Sequence, residues 1–100
     1  MKIGTIEFSQ DDLDELCRRH GIRRLALFGS VLRDDFGPES DIDVLIEFEP
    51  GLHVGFRIFR VEEQLSALFG GHRVDLVNPK YLNRFIKDRV LSEARVIHAA

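Results

Sequence analysis

A chain of 100 residues, 44% hydrophobic and 31% charged, suits one compact domain over 1–100 with a modest core and excludes a disordered tail. Its formal charge of −3, from 14 Lys+Arg against 17 Asp+Glu, argues against a dominant basic face for long nucleic acid, though not against a small nucleotide. No stretch reads as a signal peptide or membrane span, and Cys17, the single cysteine, excludes an intrachain disulfide, so a reducing cytoplasm is the expected setting.

Ser9 suits a helix N-cap, with Asp11 and Asp12 near the positive end of the helix dipole. Leu13, Leu16 and Cys17 recur at helical spacing, and Gly21 follows His20 as a stop. Ile22 to Phe28 holds the apolar run Leu25-Ala26-Leu27-Phe28, a short buried strand that ends at Gly29-Ser30. A short helical turn after Ser30 and a turn-rich stretch, Arg33 to Ser40, come next. Asp41 to Phe48 alternates as a second strand, with Ile42, Val44, Ile46 and Phe48 on one face and Asp41, Asp43, Leu45 and Glu47 on the other.

Phe56 to Phe69 predicts an amphipathic helix, its stripe made by Ile58, Val61, Leu65, Leu68 and Phe69, stopped by Gly70-Gly71. Arg73 to Val77 reads as a third strand with Asp75 at its middle. Asn78 and Pro79 suit the N-cap and first position of a last helix that continues through Phe85, Ile86, Arg89, Val90 and Ala94. Arg95 to His98 closes the chain as a short strand. Strands alternating with helices give an α/β (α+β) fold, a small sheet with helices packed on it; strand directions stay open.

The chemistry concentrates in Gly29-Ser30, ten residues, then Asp41-Ile42-Asp43. Gly29 permits a sharp turn or a close backbone approach where a Cβ would clash. A helical turn starting there would offer N–H groups to phosphate, and the Ser30 hydroxyl adds a donor. Asp41 and Asp43, two apart on a strand, project to one face and repel unless they share a cation or a proton. Such hard oxygen donors suit Mg²⁺. Asp75, an acid between Val74 and Leu76, needs a partner, and beside the second strand it would complete the set.

Each part alone has a plainer explanation. Gly-Ser is an ordinary turn, acids after Ser40 can cap or face solvent, and Asp75 can pair with Arg73. Arg33 can hold a phosphate bidentately or bond Asp34 or Asp35. Glu47 lies about 13 Å from Asp43 along an extended strand and reads as solvated. The four histidines lack ligand spacing and default to the surface, and Tyr81 reads as a packing residue. Lys80, Arg84, Lys87 and Arg89 read as a solvated helix face with a secondary option of holding a nucleotide or partner. The combination of three acids on two strands with a Gly-Ser turn favours a metal site.

The strand running into Gly29-Ser30, Arg33, Ser40-Asp41-Ile42-Asp43 with its tail Val44-Leu45-Ile46, and Val74-Asp75-Leu76-Val77 together resemble the minimal nucleotidyltransferases of the DNA polymerase beta-like superfamily. The order spans nearly the whole chain, and the nearest likeness is to antitoxins encoded beside HEPN-domain ribonuclease toxins. Leu32 and Asp34 depart from the small residues that many relatives have beside Arg33. The resemblance implies a polymerase beta palm-like fold and a catalytic set of Asp41, Asp43 and Asp75. These acids would hold two Mg²⁺ ions, roughly 3.5–4 Å apart in such sites. It further implies that Gly29 and Ser30, with Arg33, bind ATP, whose AMP moves to a tyrosine hydroxyl of the HEPN toxin. Two rival functions remain: a module that neutralises the toxin by stoichiometric contact, and nucleotidyl transfer to a small molecule. The second of these usually needs an additional acceptor domain.

Overall fold

The computed structural model describes residues 1–100. It opens with a hairpin that the sequence reading did not anticipate. β1 (Lys2–Ile3) and β2 (Ile6–Glu7) pair antiparallel through a turn at Gly4 and Thr5. Two-residue strands are too short to show alternation, so only Ile3 and Ile6, both buried, betray the element. Helix α1 (Gln10–His20) starts where Ser9 accepts a hydrogen bond from the Asp12 amide and stops at left-handed Gly21.

β3 (Ile22–Phe28) runs into a four-residue 3-10 turn, Gly29–Leu32, anchored by buried Val31. β4 (Ile42–Phe48), α2 (Arg57–Leu68) and β5 (Val74–Val77) follow, each a residue or so shorter than the sequence pattern suggests. Four strands form one sheet in the order β5-β4-β3 and then β6 (Arg95–Ala99). β3 is antiparallel to both of its neighbours, whereas β4 and β5 run parallel, joined by α2 as a crossover. The sheet is therefore mixed, and helices pack on it as the alternation of elements implied.

The core lies between the sheet and α1 with α2. Leu13, Leu16 and Cys17 from α1 and Val61 and Leu65 from α2 meet Leu25, Leu27, Val44 and Ile46 from the central strands in one cluster of 18 buried residues. Burying each such Leu or Ile side chain contributes roughly 1.5–3 kcal/mol. Phe8 meets Phe69 edge-to-face at 5.2 Å and closes the cluster beneath the hairpin. Ala26 and Leu45, both 4% exposed, stand outside this cluster on the opposite face of the sheet. No helix is long and apolar enough to cross a membrane.

Three expectations are corrected. The last helix does not begin at Pro79: Asn78 caps a separate 3-10 turn, Pro79–Tyr81, and α3 (Arg84–Glu93) starts afresh with Asn83 as its N-cap. Extended backbone at Leu82 and Asn83 separates the two. Tyr81 is no packing residue, since it is 78% exposed. Finally, His20 is buried, its Nε2 donating to Gln64 Oε1 at 2.7 Å, so α1 and α2 share a polar bond that spacing alone does not reveal.

Candidate active site

Asp43 stands on interior strand β4, paired on one side with Phe28 of β3 and on the other with Asp75 of β5. Residues in register on adjacent parallel strands present their side chains to the same face, so the β5 acid joins the β4 acid instead of pointing away. Asp41 lies one residue before β4, where the Ile42 amide donates to the Arg73 carbonyl at 2.8 Å. The acids thus sit at one end of the sheet, on the face opposite the buried cluster. Asp41 and Asp75 are exposed, and Asp43 is half-buried.

Gly29 closes the other side. Its φ is +77°, and a Cβ built there would overlap Asp43 Oδ2 and lie 3.3 Å from Asp43 Cγ. The turn thus lies directly against the carboxylate, which only a residue without a side chain permits. Ser30 is half-buried beside it, and its carbonyl accepts from the Arg33 amide at 2.9 Å. Gly4 supports the turn from behind, since a Cβ on it would lie 2.9 Å from the Val31 carbonyl oxygen.

Electrostatics registers the crowding. Burial first, then the Asp75 charge, then the Asp41 charge push the Asp43 carboxyl above the usual aspartate range, and Arg33 opposes them. Arg33 itself is exposed and holds Asp35 through Nε at 3.4 Å. Of the two roles open to it in the sequence, the structure shows the pair with Asp35, while its field still reaches Asp43. Asp75 has no ion pair with Arg73; the pairs present are Arg33–Asp35, Arg89–Glu93 and His98–Asp14.

This crowding bears on whether the site suits a metal ion. The Asp75 and Asp41 charges disfavour the ionised form of Asp43, and a hard cation beside it would offset that cost. No three acids, histidines or cysteines of the chain stand together so as to hold a metal ion by themselves. Mg²⁺ draws on only one or two protein carboxylates and completes its shell with water and phosphate. The residues present fit it on that basis.

A second set of residues escaped the sequence reading. His72 Nδ1 donates to the Ser40 carbonyl at 3.1 Å, its ring lies 4.9 Å from that of Phe36, and its own carbonyl accepts from Ser66 Oγ at 2.6 Å. The loop leading into Asp41 is therefore held by the segment leading into Asp75. A lone histidine after Gly70-Gly71 gave no signal beyond a surface residue. Farther along β4, where none of the three acids reaches, a cavity of about 650 Å³ opens between the same sheet face and α3, and Arg23 and Arg24, which line it, were likewise not singled out.

The chain matches the Nucleotidyltransferase domain family over residues 13–97. Fold and site together define that class of protein. The chain is 41% identical over 81 residues to the protein adenylyltransferase MntA of Thermococcus cleftensis, an overlap covering 79% of this chain and 78% of the relative. A solved chain described as a minimal nucleotidyltransferase superimposes with a TM-score of 0.69 at 36% identity over 85% of each chain. A toxin-antitoxin crystal structure with AMP-PNP shares the fold at a TM-score of 0.68 and 18% identity, over 92% of this chain and 74% of that one. The chain belongs to the minimal nucleotidyltransferases, the family of the protein adenylyltransferases.

Proposed function

We propose that this nucleotidyltransferase is a magnesium-dependent antitoxin, moving AMP from ATP to a tyrosine hydroxyl of a HEPN-domain ribonuclease partner and thereby neutralising it in the cytoplasm. The observation that carries the reading is the in-register pairing of Asp43 with Asp75, with Gly29 packed against the Asp43 carboxylate. The MntA relative, a protein adenylyltransferase by name, and the toxin-antitoxin neighbour with AMP-PNP support the choice of donor and partner. Residues 1–100 act as one catalytic unit in this reading.

Asp41, Asp43 and Asp75 would hold Mg²⁺, which supplies charge neutralisation for the phosphates and for the attacking oxygen. Gly29 and Ser30 receive the β- and γ-phosphates at the turn, and Arg33 adds a cation on that side. The tyrosine oxygen attacks the α-phosphorus and releases its proton to water, the bond to the bridging oxygen breaks, and pyrophosphate leaves with that electron pair. The AMP left on the partner places an anion and a bulky ring where RNA would bind, which charge repulsion then opposes.

Stoichiometric binding remains the second reading, favoured by one observation. Phe56 and Phe59 are 88% and 63% exposed and stack at 6.3 Å, an apolar pair suited to a protein contact. Intact-mass spectrometry of the HEPN partner after incubation with this chain, ATP and Mg²⁺ separates the two. AMP-sized increments that disappear with Asp41→Ala or Asp43→Ala are expected. Inhibition without a mass change, surviving both substitutions, would replace the enzyme with the binding module, and an increment on an added antibiotic would favour small-molecule transfer.

A further inference from the structure

Two of the three acids are placed by strand ladders, and the third is not. Asp43 pairs with Phe28 and Asp75, whereas Asp41 is exposed and lies one residue before β4. Its carboxylate is aimed first by its own backbone. A planar peptide leaves two soft dihedrals at each residue, so Asp41 is fixed once the peptide planes on either side of it are fixed. The plane that follows it carries the Ile42 amide, which donates to the Arg73 carbonyl at 2.8 Å. The plane that precedes it carries the Ser40 carbonyl, which accepts from His72 Nδ1 at 3.1 Å. His72 and Arg73, consecutive residues just ahead of β5, thus hold both planes.

His72 is itself held from two directions. Its ring lies 4.9 Å from that of Phe36, and Phe36 packs against the buried cluster. Its carbonyl accepts from Ser66 Oγ of α2 at 2.6 Å, and the Gly71 amide donates to the Ser66 carbonyl at 2.8 Å. A carbonyl oxygen only accepts, so the bond to Ser40 requires the imidazole proton on Nδ1. The other hydrogen bonds of residues 37–40 are local. The Ser40 amide donates to the Gly37 carbonyl and the Gly37 amide to Ser40 Oγ, each at 3.0 Å. They close the turn on itself without tying it to the sheet. The His72 side chain makes that tie.

Resting on the function proposed above, in which Asp41 is a ligand of Mg²⁺, we infer that His72 is a positioning residue for that carboxylate. It acts through the Ser40–Asp41 peptide and not as a ligand. Without its N–H this peptide is free to turn, and Asp41 loses its fixed aim beside Asp43. The ladders keep the backbones of Asp43 and Asp75 in place regardless. Groups that orient a metal ligand from behind typically govern metal affinity by about 10–100-fold. The signature of losing His72 is therefore a weaker hold on the cation, not a loss of the fold.

Two variants separate the ring from the donor. His72→Phe keeps a ring against Phe36 and removes the N–H, whereas His72→Asn removes the ring and keeps a donor near the Nδ1 position. Mn²⁺ is the probe, its binding to the full chain followed by electron paramagnetic resonance. His72→Phe should weaken binding about tenfold, and His72→Asn should bind nearly as the parent does. In an Asp41→Asn background, His72→Phe should cost nothing further. Amide hydrogen exchange in EDTA reads the clamp with no metal present. The Asp41 and Ile42 amides should exchange faster in His72→Phe, and those of Val44 to Ile46 at the parent rate. Parent-like Mn²⁺ affinity in His72→Phe, an equal loss in both variants, or a loss that persists without the Asp41 carboxylate would overturn the assignment. With the HEPN partner present, His72→Phe should raise the Mg²⁺ concentration for half-maximal AMP transfer and leave kcat at saturating Mg²⁺ near that of the parent. A lowered kcat with an unchanged Mg²⁺ requirement would mark a merely structural residue and sink the inference. A parent that binds Mn²⁺ but transfers no AMP would remove the proposed function, and ion binding and exchange would still decide the role of His72. A parent that binds no Mn²⁺ would remove Asp41 as a ligand and this inference with it.

Discussion

Gly29→Ala separates backbone strain from damage to the site. At φ +77° an L-residue costs roughly 1–2 kcal/mol. For a chain of this length that alone lowers Tm by about 4–16 °C. The methyl group would also overlap Asp43 Oδ2, so the carboxylate must leave the position it holds between the turn and Asp75. Activity should therefore fall by about 100-fold or more, as when a reacting group is misplaced by an ångström. Gly51→Ala is the matched control: its φ is +82° and nothing lies within 4 Å of its Cβ, so the Tm loss should be similar and AMP transfer retained. In an Asp43→Ala background the Gly29 substitution should cost only the backbone contribution, which a double-mutant cycle on urea midpoints measures. A Gly29→Ala protein that transfers AMP at the parent rate would show that the turn does not constrain Asp43.

Other consequences can be measured on the purified chain. The Asp43 carboxyl is raised in the folded state, so its contribution is favourable below the unfolded pKa and is lost as pH rises through the folded value. In EDTA, Asp43→Asn should therefore be more stable than the parent at pH 7, with the advantage gone near pH 3, by urea titration. Asp14 has the opposite sign. Hydrogen bonds from His98 and then Gln10 hold its carboxyl below the usual range. The stability it adds is present above about pH 4 and lost as pH falls through the lower folded value, and Asp14→Asn should remove that portion of the acid sensitivity. Burial, with the Asp14 charge behind it, pushes the Cys17 thiol up to about 12. At pH 8 the native thiol should label with a disulfide reagent only as fast as the protein unfolds, whereas urea-unfolded chain should label at once.

The acids of β4 were legible because alternation on a half-buried strand places every second side chain on one face, and Ile42, Val44 and Ile46 define the other. The partnership of Asp75 was legible only as a condition. Its register depends on β5 returning parallel to β4 through α2, a pairing made by residues some thirty positions apart. Local signals failed where two of them competed. Asn78 and Asn83 both cap, and the chain uses each, for a turn and for a helix, so one predicted helix became two pieces. Polar residues misled for a different reason. His20 and His72 read as surface residues because the groups that satisfy them, Gln64 and the Ser40 carbonyl, are distant in the chain.

The placement of Asp43 on an interior strand divides the site by stiffness. Its backbone is locked into two ladders, with β3 and β5, and such amides exchange with solvent only when the sheet itself opens. Ser30 and Arg33 belong instead to a four-residue turn and an exposed loop. Asp43 is thus the stiffest point of the site, with Asp41 just before β4 and Asp75 on an edge strand beside it. In the reading proposed above, substitutions at Ser30 or Arg33 change the grip on the nucleotide and leave the backbone that carries Asp43 in place.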